Sequence, residues 1–275
     1  MSTISSTSAT TSPPPHPARR LRSVAWLLLA ILGGIGLRQI AADTGVDLVS
    51  LVEGLPYMGA LLAGIVNPDW SVFPLLVRYA RETLEMSILG TLIGAIFALP
   101  LSFMGARNLM GRNPISRVLY FIVRFLMAVI RAVPTLFWGL LFVAAVGIGQ
   151  FPGVLAITVF STGLLAKLYS EAIEAIDWGQ IEAVTATGAN PWQVLIFAIV
   201  PQFFPYFVAH TLYSWEVNVH SATILGAVGA GGLGFVALEY INQFSFNKMG
   251  TVLIVTLAMT LLIDYTSAYV RSRII

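Results

Sequence analysis

Long apolar stretches separated by short polar ones dominate the chain. A helix that crosses the ~30 Å hydrocarbon core of a bilayer needs about 20 mostly apolar residues. Read on that scale, the pattern predicts six spans, over residues 24–40, 83–104, 133–148, 154–168, 194–219 and 250–270. The apolar stretch 115–130 carries Arg117, Arg124 and Arg131 seven residues apart, on one helical face. It predicts a helix at the membrane surface that enters the third span through a bend at Ala132-Val133-Pro134, because proline cannot continue the hydrogen-bond ladder. One long tilted helix is the alternative. Residues 48–65 are apolar but short and carry Pro56 and several glycines, so they predict an interfacial helix or cap on the outer face rather than a span. The fold class expected is an all-α integral membrane protein. Its parts are a disordered, Ser/Thr/Pro-rich tail over 1–20, a first span plus external segment over 21–80, and a core over 81–275.

Composition supports this. Of 275 residues, 57% are hydrophobic and 10% charged, and mean hydropathy is +0.84, whereas soluble domains carry about 25% charged residues. A soluble enzyme, a disordered protein and a nucleic-acid-binding domain are excluded. The chain has no cysteine, which excludes disulfides, thiolate catalysis and thiolate-held metals. Charge placement sets orientation. Arg19, Arg20, Arg22, Arg107, Arg112, Arg117, Arg271 and Arg273 fall on one side of a six-span chain, against Arg38, Arg78, Arg81 and Lys248 on the other. The positive-inside rule makes the first side cytoplasmic, with both termini there. The first span is not read as a cleaved signal peptide, since no small-residue cleavage site follows it.

Catalytic chemistry has no visible basis. His210 and His220 are ten apart, which is not the i, i+4 spacing of a zinc pair, and no Gly-Lys-Ser/Thr loop is present to cradle a nucleotide. Gly229, Gly231 and Gly234 spell G-x-G-x-x-G without a strand–turn–helix setting, so close helix packing or a hinge explains them better than a dinucleotide site. Pro134, Gly229, Gly231, Gly232 and Gly234 are the candidate gate or hinge positions. Glu171, Glu174, Asp177 and Glu182 form an acidic cluster with no Lys or Arg from Tyr169 through Gly188. A solvated face that meets a partner is preferred over a divalent-metal site, and no metal ligands are assigned.

Residues 177–191 predict a short helix between two spans. Asp177 is a good N-cap with Gln180 three later, Gly188 suits the left-handed position after a helix, and Asn190-Pro191 restarts one. Ala183, Ala186 and Ala189 leave its surface open to close approach. In the fifth span Glu216, His220 and Thr223 recur at i, i+4, i+7 and share a face, with Asn218 and Ser221 beside them. Polar groups in a span are costly and normally face a cavity or another helix. These five residues are candidates for a transport pathway, with helix–helix hydrogen bonding as the alternative.

Glu182-Ala183-Val184, three residues, Gly188, and later Pro201 resemble the signature loop of ABC importer permeases. The family pattern is Glu-Ala-Ala, three residues, Gly, nine residues, Ile, one residue, Leu-Pro. This chain departs at Val184, Ala198 and Val200, each apolar. The segments Arg131–Pro134 with Trp138, Leu165–Glu174, Pro201-Gln202, Pro205-Tyr206, Tyr213–Val219 and Gly226–Gly234 look like the phosphonate/phosphite/phosphate-uptake branch over roughly residues 78–270. Members of that branch carry Arg where this chain has His220.

The resemblance implies a type I importer permease with a coupling helix at about 178–190. Glu182, Ala183, Val184, Gly188, Ala189 and Asn190 would meet the ATPase. It further implies a homodimer in a bacterial inner membrane, two cytoplasmic ATPase subunits that bind the ATP and Mg, and an extracytoplasmic phosphonate-type binding protein. This chain would have no cofactor of its own and no nucleic-acid partner. Rival readings are a permease for methionine, another amino acid or a quaternary amine, an intramembrane enzyme, and a passive channel.

Overall fold

A computed structural model describes residues 17–45, 48–110 and 113–274. The expected disordered tail lies outside these for residues 1–16, but Pro17 already opens a helix, so residues 17–20 do not belong to it. Among the described residues there is helix and no strand. The chain divides into two compact units, residues 1–60 and 61–275. In the first, α1 (Pro17–Asp43) is long and apolar enough to cross a membrane. Helix α2 (Leu48–Val66) runs on into the second unit and carries Pro56 within it.

The second unit contains α3 (Phe73–Gly105), α4 (Arg107–Met110), α5 (Pro114–Ala132), α6 (Thr135–Val146), α7 (Gln150–Glu174), α8 (Trp178–Ala186), α9 (Pro191–Val194), α10 (Val200–Leu225), α11 (Gly232–Asn242) and α12 (Phe246–Ile274). Helix α3 begins ten residues before the expected second span. Its first turns carry the i, i+4 ion pairs Arg78–Glu82 (3.4 Å) and Arg81–Glu85 (2.6 Å). Paired charges let a helix continue where hydropathy alone ends it. The expected boundary between residues 80 and 81 therefore falls inside α3, and Arg78 and Arg81 belong to this helix rather than to a segment before it.

Packing density at the centre is set by glycine. A Cβ on Gly90 would lie 2.5 Å from Ile157 Cγ2, and one on Gly94 2.6 Å from Ser161 Cβ. This small-xxx-small spacing brings α3 and α7 into backbone contact, the usual way helices associate in lipid, where hydrophobic driving force between them is absent. The pairs Met86/Gly153, Gly90/Ile157 and Gly94/Ser161 rise together along both helices, so α3 and α7 are parallel. The chain between them must therefore cross back. Helices α5 and α6 do so as a broken pair, bent by 85°. Val133 is extended (φ −89°, ψ 119°) because it precedes Pro134. The bend falls at Ala132-Val133-Pro134 as expected, but α5 is not a surface helix: it climbs beside α7, from Arg124 at Glu174 to Ile130 at Gly163. The structure also corrects the third span, because the 12 residues of α6 reach only about 18 Å and cannot cross alone.

Three buried clusters hold the unit together. One centres on Tyr169 with Ala98, Val123, Met127, Leu165, Ile173 and Phe203. The second joins Leu76, Val219, Leu233, Val236, Val252 and Ile263. The third joins Met86, Ile157, Ala222 and Leu225. Before α3, Asp69 caps the turn Trp70–Val72 by accepting from Ser71 N (3.0 Å). Those hydrogen bonds from Ser71 hold its carboxyl below the usual range. Thr251 Oγ1 donates to Asp69 O at 2.8 Å, tying the start of α12 to this turn.

Candidate functional site

Helix α8 lies at the end of the bundle where α3 and α7 finish. Asp177 accepts from Gly179 N (2.9 Å), as expected of an N-cap. The reciprocal box expected with Gln180 is replaced: Asp177 N donates to Gln202 Oε1 (3.0 Å), which reaches over from α10. A reciprocal box does form one turn-pair later. Asn190 Oδ1 accepts from Gln193 N (2.9 Å) while Asn190 N donates to Gln193 Oε1 (2.8 Å). Gly188 sits at φ +82°, the left-handed conformation that ends α8. These caps fix both ends of a nine-residue helix that could not hold its shape by propensity alone. Ile181 and Val184 are half-buried, Ile181 against the Tyr169 cluster. Glu182, Ala183 and Ala186 point away and are exposed, and Ala189 is half-buried. The acidic cluster is split. Glu174 pairs with Arg124 (2.6 Å) and accepts from Arg107 N (2.7 Å), exposed Glu171 pairs with Lys167 (3.4 Å), exposed Asp177 caps α8, and Glu182 lies on the exposed face of α8. Among the described residues no group of three potential ligands could hold a metal.

The five polar residues of α10 separate. Asn218 is fully buried, and its amide donates to Thr91 Oγ1 (2.8 Å) on α3 and Ser161 Oγ (2.6 Å) on α7. It thus joins three helices at the level of the Gly94 contact. Trp215 Nε1 adds a bond to Ser87 Oγ (3.2 Å). Glu216 pairs with Arg271 Nη2 of α12 (2.7 Å). Ser221 and Thr223 donate to carbonyls of their own helix, of Val217 and Val219. His220 is exposed. We expect Asn218→Ala to weaken the bundle. Interhelical hydrogen bonds in membranes are worth about 0.6 kcal/mol on average and up to about 1.7, so losing two lowers stability by roughly 1–3 kcal/mol, read as a lower melting temperature in detergent.

The glycine segment turns the chain between α10 and α11. Gly229, Gly231 and Gly232 have φ of +98°, +84° and +72°. Gly234 packs on the Thr223 carbonyl with no room for a Cβ. The α11 N-terminus is capped from α3: Gly232 N donates to Glu82 Oε2 (3.3 Å) and Leu233 N to Thr83 Oγ1 (2.9 Å). Gly149 N donates to Gly229 O (2.9 Å), linking this turn to the one before α7. Pro134 starts α6 at the bend. The roles of Arg271, Glu82, Thr83, Thr91 and Ser161 as partners of these residues have no signal in the sequence. Their partners lie 55 to 150 residues away.

The bundle with a capped surface helix between its last spans has known counterparts. Residues 90–275 match the family model "Binding-protein-dependent transport system inner membrane component". The chain belongs to this family. It is therefore a multi-pass membrane permease of a bacterial importer that works with an ATPase and a binding protein, a transport component rather than an enzyme. The chain is 39% identical to the phosphite transport system permease protein PtxC of Stutzerimonas stutzeri over 82% of its own length and 81% of that protein. It is 38% identical to the phosphate-import permease protein PhnE of Mycolicibacterium smegmatis, over 71% of this chain and 36% of that one. Among solved structures, an inward-facing MetNI methionine ABC transporter matches with a TM-score of 0.66 and 26% identity, covering 75% of this permease and 99% of the matched chain.

Proposed function

We propose that this permease moves an oxyanion of phosphorus (phosphite, phosphonate or phosphate) inward. The observation that carries the reading is the 39% identity to a phosphite permease along most of both chains. Methionine as cargo is less well supported, since the methionine transporter shares 26%. Two copies form the pathway, because one chain supplies half the spans such a path uses. Two ATPase subunits hold ATP and Mg on the cytoplasmic side, and a phosphonate-type binding protein delivers cargo to the outer face of the inner membrane. Both termini are cytoplasmic, in line with the basic residues on that side.

Helix α8 is the coupling element: Glu182, Ala183 and Val184 meet the ATPase, while Gly188, Ala189 and Asn190 fix the turn. Of the polar residues of α10, exposed His220 with Ser221 and Thr223 beside it serves the pathway, while Asn218 and Glu216 hold α10 to α3, α7 and α12 instead. Weak hydrogen-bond donors such as Ser221 and Thr223 suit a path that must also release its anion. Pro134 and the turn at Gly229, Gly231, Gly232 and Gly234 are where the spans hinge.

Uptake by the reconstituted permease, ATPase and binding protein tests this. Labelled phosphite should enter only with ATP and be competed by phosphonate or phosphate, not by methionine. Competition by methionine alone would assign the other cargo, and entry without ATP would make the chain a channel.

A further inference from the structure

Arg131 is a cation at hydrocarbon depth. Residues 86–105 of α3 carry no charge and are long enough to cross the hydrocarbon core. Met86 meets Gly153 of α7, and Gly105 meets Ser170, so the same depth on α7 runs from Gly153 to Ser170. A Cβ on Gly163 would lie 2.6 Å from Ile130 Cγ2 and 3.4 Å from Arg131 Cγ. Gly163 is seven residues from Ser170, so Arg131 leaves α5 roughly 10 Å inside the nearer edge of the core. It shares a helical face with Arg124, two turns earlier, which reaches Glu174 of α7. Exposed Val118, Ile122, Phe125 and Val129 lie on the opposite face of α5. The cation is therefore on the side turned to α7, away from the apolar row.

Arg131 is exposed and has no hydrogen bond or ion pair among the described residues. An arginine in the last turn of a helix commonly bonds the free carbonyls there. Here Trp138 Nε1 of α6 donates to Ile130 O instead (3.4 Å). The carboxylates of α7 on the α8 side are taken, Glu174 by Arg124 and Glu171 by Lys167. A charge within a span is costly and is kept where it faces a partner or a water-filled cavity. With no partner in its own chain, Arg131 needs water or an anion beside it.

We propose that Arg131 contacts the oxyanion in transit and selects for its negative charge, an inference that rests on the phosphorus cargo proposed above. Its fork of donors matches two oxygens of such an anion. Asn218 bonds Ser161, two residues from Gly163 on α7. Ser221 and Thr223 follow Asn218 along α10, away from α8. Arg131 thus lies on the α8 side of those weak donors, and the anion meets it after them. The second copy brings a second Arg131 to the path. Arg131 stands directly before Ala132-Val133-Pro134, so a shift of that bend moves the guanidinium and lets the anion leave.

Uptake of labelled phosphite by the reconstituted permease, ATPase and binding protein tests this. Arg131→Gln should lower uptake by on the order of tenfold, as loss of a charge-assisted hydrogen bond does, and Arg131→Lys should keep much of it. ATPase stimulation by loaded binding protein should change little in either, since α8 and the outer face are intact. The chain has no cysteine, so Arg131→Cys gives the permease a single thiol at this point. Aminoethyl methanethiosulfonate, which restores a cation, should recover uptake, and sulfonatoethyl methanethiosulfonate, which adds an anion, should not. Recovery also shows that the variant is folded, and wild-type complex treated alike controls for thiols of the other subunits. Equal uptake by wild type and Arg131→Gln, or equal effects of the two reagents, would overturn the proposal and leave the phosphorus cargo standing. A wild type that moves no phosphite would overturn both. An equal defect in Asp264→Asn, a residue exposed on α12, would also overturn it, because Arg131 would then be half of an ion pair between the two copies.

Discussion

Gly188→Pro is expected to abolish ATP-driven uptake while the chain still inserts and assembles. Gly188 ends α8 at φ +82°, and proline is locked near −65°. The substitution therefore removes the turn that aims α8 and that sets Asn190 to cap the next helix through Gln193. A Cβ at Gly188 meets nothing within 4 Å, so backbone conformation, not crowding, is what fails. Asn tolerates the left-handed region, and Gly188→Asn should retain most uptake. Two measurements read the outcome: uptake in reconstituted vesicles, and ATPase stimulation by loaded binding protein. Proline should uncouple or eliminate both. If Gly188→Pro transports like wild type, α8 is not the coupling element. If Asn fails as badly as Pro, the position requires more than the turn.

The second large effect belongs to the α3–α7 contact. Gly94→Leu should prevent the two helices from reaching their present separation. The first atom of the new side chain already falls 2.6 Å from Ser161 Cβ and 3.1 Å from the Thr158 carbonyl. Overpacking a well-packed core costs roughly 1–3 kcal/mol, occasionally more, and here the obstacle is largely backbone, which cannot rotate away. Ser161 is also an acceptor for Asn218, so a displaced α7 breaks the three-helix junction as well. Gly94→Leu should therefore show low yield and a collapsed monodisperse peak on size exclusion. Gly33→Leu, where a Cβ meets nothing within 4 Å, should be tolerated. A stable, monodisperse Gly94→Leu transporter would mean that α3 and α7 have slack this packing does not display.

Much of the fold was legible because bilayers impose simple rules. Span length follows from hydrocarbon thickness, and the α5–α6 bend follows from proline's missing donor at Pro134. The α8 caps follow from residue types that act within three or four positions, as at Asp177 and Asn190. Such information is local and survives in one sequence. The start of α3 was missed because hydropathy counts Arg78 and Arg81 as polar, whereas in the helix each meets a carboxylate one turn on. The box expected between Asp177 and Gln180 does not form, because a distant residue, Gln202, accepts from the same donor.

The site divides along the same line. A helical membrane permease with an exposed, capped helix at Glu182–Gly188 and a glycine turn near Gly229–Gly234 can be read from residue order alone. What the polar residues of α10 touch depends on the packing of the helices. Glu216 meets Arg271, Asn218 joins Thr91 and Ser161, and His220 stays exposed. Helical periodicity fixes which residues share a face but not the rotation of that face. Rotation is set by where glycines let backbones approach, and those contacts join residues far apart in the chain.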